Sequence, residues 1–268
     1  MKIYLMTDME GVAGMLDHDN WVLMNGRHYD KGMRLLTGEV NAAVDGLLAG
    51  GATEVVVCDG HGAGGIDPEL LDERAQLLRA LGSGIFPFGL DASYDAIGWV
   101  GQHAKAGTDY SHITHTGWFN VIDASINGIS IGEYGEMALC ARELGVPSIF
   151  ACGEEALCRE AEALTPGVVT VSVKQGLQRD GLAHLSSEQY RNAKLSALHL
   201  SPLVARQRIR AGALEAMRKF TADPSAFHYP ELQPPYTSVV ITRPVGETPA
   251  QTTEHRHPDS VIALLNGK

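Results

Sequence analysis

Residues 54–62, Glu-Val-Val-Val-Cys-Asp-Gly-His-Gly, join a continuous apolar run to an abrupt polar end. A β-branched run of this length is typical of a central strand in a parallel sheet, where both faces are buried. Gly60 and Gly62 allow the backbone to bend sharply after the strand. The stretch therefore predicts a buried strand that presents Asp59 and His61 at its carboxyl end.

The same alternation of strand and helix signals continues on both sides of this stretch. Residues 2–7 form a short apolar run that stops at Asp8, and 29–48 carry apolar side chains at helical spacing until Gly50 ends the helix. Similar patterns predict helices over 68–81, 132–144 and 154–164, and strands over 96–101, 146–151 and 168–173. This alternation indicates an α/β fold with a mostly parallel sheet flanked by helices.

The signals after residue 200 are weaker. Ser201 and Pro202 begin a helical pattern, as an N-cap and a first-turn proline do. Three prolines within 229–236 predict a linker or an extended connection, and 237–242 is rich in residues that favour strands. The polar tail that follows gives no assignable element.

Length and composition restrict the domain organisation. A chain of 268 residues, 44% of them hydrophobic, fits one large domain or two small ones. We expect a metal-binding α/β catalytic domain over 1–200, for the reasons given below. A smaller C-terminal α/β portion over 201–268, consisting of a helix and a β-rich tail, is expected to pack on the same domain.

The charge and the cysteines restrict the environment. A net charge of −11 argues against nucleic acid or an anionic membrane as partner, because phosphates would be repelled. Asp8 interrupts the first apolar run before a signal-peptide core is complete, and no run reaches the roughly 20 apolar residues of a membrane span. We therefore expect a cytoplasmic protein. The cysteines form no C-x-x-C pair and predict buried reduced thiols: Cys58, Cys140, Cys152 and Cys158.

Three successive predicted strands end in side chains that bind metals. Asp8 and Glu10 follow the first, Asp59 and His61 follow the second, and His103 follows the strand predicted over 96–101. Ligand sites in open α/β sheets form outside the carboxyl ends of the strands. One such residue is more often a turn residue or a buried, hydrogen-bonded group, but three strand ends of one sheet favour a metal site. Carboxylates beside imidazoles suit zinc, whereas carboxylates alone suit magnesium.

The sequence allows two roles for several of the residues near these strand ends. Asp59 either orients a ligating imidazole or closes an Asx turn. Glu133 is either a charged start of the helix predicted over 132–144 or a further metal ligand. His112 and His115 lie three residues apart in a loop, so one can donate a proton or stabilise a transition state while the other is structural or at the surface.

The motifs occur in a recognisable order. They are Asp8-x-Glu10-Gly11, Asp59-Gly60-His61-Gly62, the run 102–108 (Gln-His-Ala-Lys-Ala-Gly-Thr), Thr114-His115-Thr116 and Gly132-Glu133-x-Gly135, followed by Val173-Lys174-Gln175 and Leu200-Ser201-Pro202. Their order and spacing over roughly residues 1–220 resemble the zinc-dependent D-aminopeptidase family of the DppA type.

The resemblance implies an aminopeptidase that removes N-terminal residues, D-amino acids in this family, from short peptides with a water activated by two zinc ions. It implies that His115 is catalytic, whereas His112 has no counterpart. It also implies a homo-oligomer, a ring-shaped decamer. The residues that match the ligands of two zinc ions per chain are Asp8, Glu10, His61, His103 and Glu133, with Asp8 as the bridge.

Two departures from the family pattern bear on substrate fit and assembly more than on metal chemistry. Residues 63–66 (Ala-Gly-Gly-Ile) stand where family members have a polar stretch, and the C-terminal region is shorter and more polar than usual.

Two other functions remain open on the residues alone. A metal-dependent phosphohydrolase would use the acidic end of the first strand, but the Ser or Thr that accompanies an aspartyl nucleophile and a phosphate-binding loop are both missing. A non-catalytic peptide-binding protein for uptake would not need five metal-type residues at strand ends.

Overall fold

The computed structural model describes residues 1–80, 84–229, 232–245 and 248–267. In chain order its elements are β1 (Lys2–Thr7), α1 (His18–Trp21), α2 (Tyr29–Ala49), β2 (Glu54–Asp59), β3 (Ala75–Leu78), β4 (Ala96–Gln102), β5 (Val121–Ile126), β6 (Ile129–Ser130), α3 (Glu133–Glu143), β7 (Ser148–Glu154), α4 (Glu155–Leu164), β8 (Val169–Gly176), α5 (Ser187–Ala193), β9 (Ala197–His199), α6 (Pro202–Ala222), β10 (Tyr236–Thr242), β11 (Gln251–His257) and α7 (Val261–Asn266).

The main sheet has the strand order β3-β2-β1-β4-β7-β8-β9. All neighbours are parallel except β8 and β9, which confirms the predicted mostly parallel α/β fold. The chain passes to opposite sides of β1, because β2 lies on one edge of it and β4 on the other. A crevice forms at such a switch point, outside the carboxyl ends of the strands. Thr7, the last residue of β1, pairs with Asp59 on one side and Val100 on the other.

Helices cover both faces of this sheet. Ile3 and Leu5 of β1 belong to the core that contains the buried faces of α2 and α6. Tyr4 and Met6 belong to the opposite core, which contains those of α3 and α4. Successive side chains of a strand point to opposite faces, so a continuous apolar run serves both cores at once.

A smaller antiparallel sheet, of order β11-β10-β5-β6, joins the C-terminal portion to the middle of the chain. Strand β10 confirms the prediction over 237–242, and it pairs with β5. Leu264 and Leu265 of α7 share a core with Leu139 of α3. Helix α6 packs on α2 instead, so both parts of 201–268 contact earlier elements. The boundary at residue 200 stays a prediction.

The helix predicted over 68–81 is wrong. Turns are followed there by the edge strand β3, which pairs in parallel with β2. Asp67 accepts a hydrogen bond from the backbone N–H of Glu69, and Asp72 from that of Arg74. Such side-chain bonds to the backbone compete with helical ones. The end of the prediction, 81, lies outside the described residues, as do 230–231 of the predicted linker.

Two further expectations concern cysteines and membranes. The four cysteines are buried and not disulfide-bonded, as predicted. Over the described ranges, no helix has the length and apolar character needed to span a bilayer.

A buried carboxylate ties the loop after β1 to α2. Glu39 is 1% exposed, and its Oε1 accepts a hydrogen bond from the backbone N–H of Ala13 at 3.0 Å. Burial raises the pKa of Glu39 to about 8. The folded protein therefore keeps a proton on Glu39 up to about pH 8, whereas the unfolded chain releases it near the ordinary glutamate pKa of 4.5.

We expect Glu39 to make the protein less stable as the pH rises. Between these two pKa values the folded state binds more protons than the unfolded state, so the free energy of unfolding falls with pH through this window. Glu39→Gln removes this group's contribution to the pH dependence of stability. Between about pH 5 and about pH 8.5, the free energy of unfolding of the variant should rise by on the order of 3 kcal/mol relative to that of the wild type. Urea unfolding of both proteins at each pH measures this; an unchanged difference would contradict the raised pKa.

Candidate metal centre

The structure brings all six predicted site residues together at the switch point of the main sheet. Their positions follow from the strand ends and two adjoining segments: Asp8 and Glu10 follow β1, His61 follows β2, His103 follows β4, His115 lies between β4 and β5, and Glu133 begins α3.

The loop after β1 lies directly against the end of β4. The N–H of Gly11 donates to the carbonyl of Gly101 at 2.7 Å, and a Cβ at residue 11 would lie 2.1 Å from the carbonyl oxygen of Gln102. A side chain would clash there, so glycine permits the approach. The contact brings Asp8 and Glu10 beside His103.

Asp8 lies between two groups of side chains. Its Oδ1 is 3.2 Å from Nδ1 of His61, which is also 3.5 Å from Oε2 of Glu10. Its Oδ2 is 3.4 Å from Nε2 of His103, which is also 3.5 Å from Oε1 of Glu133. Asp8, Glu10 and His61 form one group of possible ligands and Asp8, His103 and Glu133 another, with the atoms of each within 4.8 Å of one another. Asp8 belongs to both groups through different oxygens.

His115 lies between these groups. Its Nε2 is 3.8 Å from Glu10 and 3.9 Å from Glu133, and its ring stacks on that of His103 with centroids 4.3 Å apart. Glu10, His103 and His115 form a third possible ligand group. His115 is therefore close enough to bind a metal or to act on a substrate held by the other residues.

The hydrogen bonds of the three imidazoles leave one nitrogen of each directed at the cluster. Nδ1 of His103 faces the carbonyl of Ala104 at 2.8 Å, and Nδ1 of His115 faces that of Ile113 at 3.1 Å. Nε2 of His61 faces the carbonyl of Val22 at 3.2 Å. A carbonyl selects the tautomer with the proton on the nitrogen that faces it, and the other nitrogen then offers a lone pair.

These residues fit a zinc ion. Among the described residues, Nε2 of His103 and Oε2 of Glu10 are buried without a hydrogen-bond partner, whereas buried polar atoms are normally paired. Imidazole nitrogens and carboxylate oxygens are ligands that zinc takes in proteins. A metal would supply the missing partner of both atoms.

Crowded carboxylates perturb the pKa values of the cluster. Burial, and repulsion by Glu10, raise the pKa of Asp8 to about 8. Despite its burial, His103 lowers the pKa of Glu133 to about 2. Burial and repulsion by His103 lower the pKa of His115 to about 4, so this ring is neutral at pH 7. A cation beside Asp8 would favour loss of the proton from its carboxyl group, because an adjacent positive charge stabilises the carboxylate.

Two other residues discussed from sequence lie outside the cluster's direct contacts. Oδ1 of Asp59 accepts a hydrogen bond from the N–H of Gly65 at 2.8 Å, so Asp59 closes the loop that carries His61. His112 is fully buried, and its Nδ1 lies 3.0 Å from Nζ of Lys174.

Sequence reasoning did not single out two further residues of the site. Gln102 donates a hydrogen bond from Nε2 to Oδ2 of Asp8 at 2.9 Å. Its position beside His103 at a predicted strand end is the sequence signal that places it in the site. His18 packs edge-on against Phe119 with ring centroids 4.8 Å apart, and it lines the same cavity as His115. Only the folding of α1 against the loop before β5 brings His18 there.

A cavity of about 420 Å³ opens over the cluster. One part of its wall is polar and includes Glu133 and Glu136. The apolar part includes Met6, Val22, Leu23, Met24, Ala63, Phe86, Phe88, Trp118 and Met137. No lysine or arginine is among the described residues that line the cavity.

Comparison with known proteins places the chain in a family. Residues 1–246 match the sequence profile described as D-aminopeptidase. The chain belongs to the D-aminopeptidase family. This confirms the resemblance drawn from the motifs, and it favours a peptidase over the phosphohydrolase and the binding protein.

This D-aminopeptidase family member is similar to a sequence and to a solved structure, both from Bacillus subtilis. A D-aminopeptidase of Bacillus subtilis (strain 168) is 34% identical over 191 residues, which are 69% of this chain and 68% of that protein. The structure described as the Zn-dependent D-aminopeptidase DppA from Bacillus subtilis, a self-compartmentalizing protease, has a TM-score of 0.81 and 24% identity. That match covers 99% of this chain and 94% of the other, and it confirms the fold.

The shared position of Asp8 predicts unequal effects of two substitutions. We expect Asp8→Ala to lose nearly all bound zinc, because it removes a ligand from both groups that contain Asp8. His61→Ala removes a ligand from one group only and should retain about half of the wild-type zinc. Elemental analysis of both variants, purified without chelator, gives the zinc content per chain. Equal retention in the two variants would contradict a shared ligand.

Proposed function

We propose that this protein is a zinc-dependent aminopeptidase that removes N-terminal D-residues from short peptides and holds two zinc ions per chain. The observation that carries the proposal is Asp8, which two groups of possible ligands share at the switch point of the sheet. Membership of the D-aminopeptidase family and the Zn-dependent relative support the same reaction.

Each ion has a proposed set of ligands. Asp8, Glu10 and His61 would hold one zinc ion, and Asp8, His103 and Glu133 the other. When bound, such ions provide a water molecule of lowered pKa and polarise the scissile carbonyl. This leaves His115 for proton transfer.

His115 is suited to move a proton at Nε2. Its Nδ1 faces the carbonyl of Ile113, and the lowered pKa keeps the ring neutral at pH 7. Nε2 can therefore accept a proton on the side of the attacking water and return it to the leaving amine. Phe119, whose ring centroid lies 4.4 Å from that of His115, restricts the orientation of the imidazole.

The cavity suits a substrate with a free amino terminus and an apolar side chain. Glu136, which is not among the proposed zinc ligands, adds a carboxylate to the cavity wall and would attract a protonated amine. Phe86 and Phe88, with ring centroids 4.5 Å apart, and Met137 form apolar surface for the first side chain of the peptide. An acidic side chain would meet no lysine or arginine among the described lining residues.

Replacement of His115 separates proton transfer from metal binding. We expect His115→Ala to lower kcat by about 10²–10⁴-fold, the usual contribution of a general acid or base, while zinc content stays at the wild-type level. Steady-state kinetics and elemental analysis on the same preparation test this. A parallel loss of zinc would assign His115 as a ligand instead.

Substrate panels test the charge and stereochemistry of the cavity. For dipeptides of D-Leu, D-Ala, D-Glu and L-Leu joined to glycine, we expect kcat/KM to be at least about tenfold lower for D-Glu than for D-Leu, because burial of a carboxylate against the apolar wall is unfavourable. N-acetyl-D-Leu-Gly, which lacks the amine, should not be cleaved. Faster cleavage of L-Leu-Gly than of D-Leu-Gly would contradict the proposed stereochemistry.

We further propose that the protein acts in the cytoplasm as a homo-oligomer, a ring-shaped decamer. The self-compartmentalizing relative supports an assembly, and large apolar side chains such as Leu198 and Leu203 lie exposed on this chain. Light scattering coupled to size exclusion would give ten times the 28.7 kDa mass of one chain. A monomer at micromolar concentration would contradict the decamer.

A further inference from the structure

Two ionisable side chains, Glu154 and Lys174, are buried close to the cluster of candidate ligands. Glu154, the last residue of β7, pairs in register with Lys174 on β8. Glu154 is 0% exposed and Lys174 is 3% exposed. Buried charges are tolerated when hydrogen bonds compensate for the lost water, so the partners of these two groups show what they hold in place.

Glu154 binds the backbone beside two site histidines. Its Oε1 accepts hydrogen bonds from the N–H of Ala104 at 2.9 Å and from Oγ1 of Thr114 at 3.2 Å. Its Oε2 accepts one from the N–H of His112 at 2.6 Å. Ala104 directly follows His103, and Thr114 directly precedes His115. One carboxylate therefore fixes both segments relative to each other.

Lys174 binds the backbone of a third site residue. Its Nζ donates a hydrogen bond to the carbonyl oxygen of Glu10 and lies 3.0 Å from Nδ1 of His112. His112 is thus bonded through its backbone to Glu154 and through its ring to Lys174. This connection gives a role to the one histidine of the 112–115 loop that the reaction does not use.

We propose that Glu154 and Lys174, linked through His112, are positioning residues that hold the backbone of Glu10, His103 and His115 in the arrangement that binds zinc. The inference rests on the proposed function, because it concerns the same metal centre. Neither residue touches the cavity, and both act through the segments that they bind.

The chain offers a control that shares the hydrogen-bonding pattern of Glu154, although Glu143 is exposed and Glu154 is buried. Glu143, at the end of α3, also accepts two backbone N–H bonds and one hydroxyl bond, from Val261, Ile262 and Ser260. These bonds hold the start of α7 and no segment of the site. Glu143→Gln therefore reports what the loss of such a set of hydrogen bonds does when it lies outside the site.

Glutamine at position 154 keeps the shape of the side chain but turns one acceptor into a donor. The amide nitrogen would face the backbone N–H of either Ala104 or His112, which cannot accept a hydrogen bond, so one of the two segments loses its bond to residue 154. Residues that orient metal ligands typically change metal affinity by 10–100-fold when they are replaced. Lys174→Met removes the bond to Glu10 with a side chain of similar length.

The experiment compares the full-length wild type with Glu154→Gln, Lys174→Met and Glu143→Gln. Competition with a chelator of known affinity gives the Kd for zinc, thermal unfolding of the zinc-free proteins gives Tm, and kinetics at saturating zinc give kcat and KM for D-Leu-Gly. We expect Glu154→Gln and Lys174→Met to weaken zinc binding by about 10–100-fold and to lower kcat with little change in KM. Glu143→Gln should lower Tm and leave the zinc Kd and kcat unchanged.

The outcomes separate this inference from the proposed function. If Glu154→Gln and Lys174→Met lower Tm but keep the wild-type zinc Kd and kcat, the positioning role is overturned while the zinc centre stands. If the wild type binds no zinc, the proposed function fails, and the inference fails with it. Should Glu154→Gln not fold, Thr114→Val removes a single hydroxyl bond to Glu154. A wild-type zinc Kd and kcat in that variant would overturn the inference.

Discussion

The carboxylate of Asp8 is the constraint on which the rest of the site depends. Asp8 directly follows β1, and β2 and β4 lie on opposite sides of this strand. One carboxylate oxygen faces His61, which follows β2, and the other faces His103, which follows β4. A sheet that placed β2 and β4 on the same side of β1 would separate these histidines. The strand order of the sheet therefore determines which side chains meet at the site.

The central strands of the main sheet and the polar side chains at their ends could be predicted from sequence, because both are local signals. Buried parallel strands are continuous apolar runs, and their carboxyl ends meet at one edge, so Asp8, His61 and His103 needed no knowledge of long-range contacts. The helix predicted over 68–81 failed for an equally local reason, since Asp67 and Asp72 bond to nearby backbone groups. Apolar spacing alone does not reveal that competition.

Other parts of the fold and the site depend on segments that meet only in three dimensions. Strand β5 pairs with β10, for example Ser125 with Val239. The sequence of either strand alone does not indicate which other strand it pairs with. Glu154 was assigned to the start of a helix, whereas it ends β7 and is bonded to two distant segments. Burial of a carboxylate among backbone donors has no sequence pattern of its own, because its partners are main-chain atoms common to all residues.

The pairing of β5 with β10 also sets an order of events during synthesis. The segments that carry His115 and Glu133 flank β5 and β6, and the hairpin that completes their sheet emerges from the ribosome much later than they do. Long-range strand pairing has to wait for both partners. Asp8, His61 and His103 can meet early through the parallel core, while the second sheet closes afterwards. The side chains of the candidate centre are therefore brought into place in two stages of synthesis, and Glu133 and His115 belong to the later one.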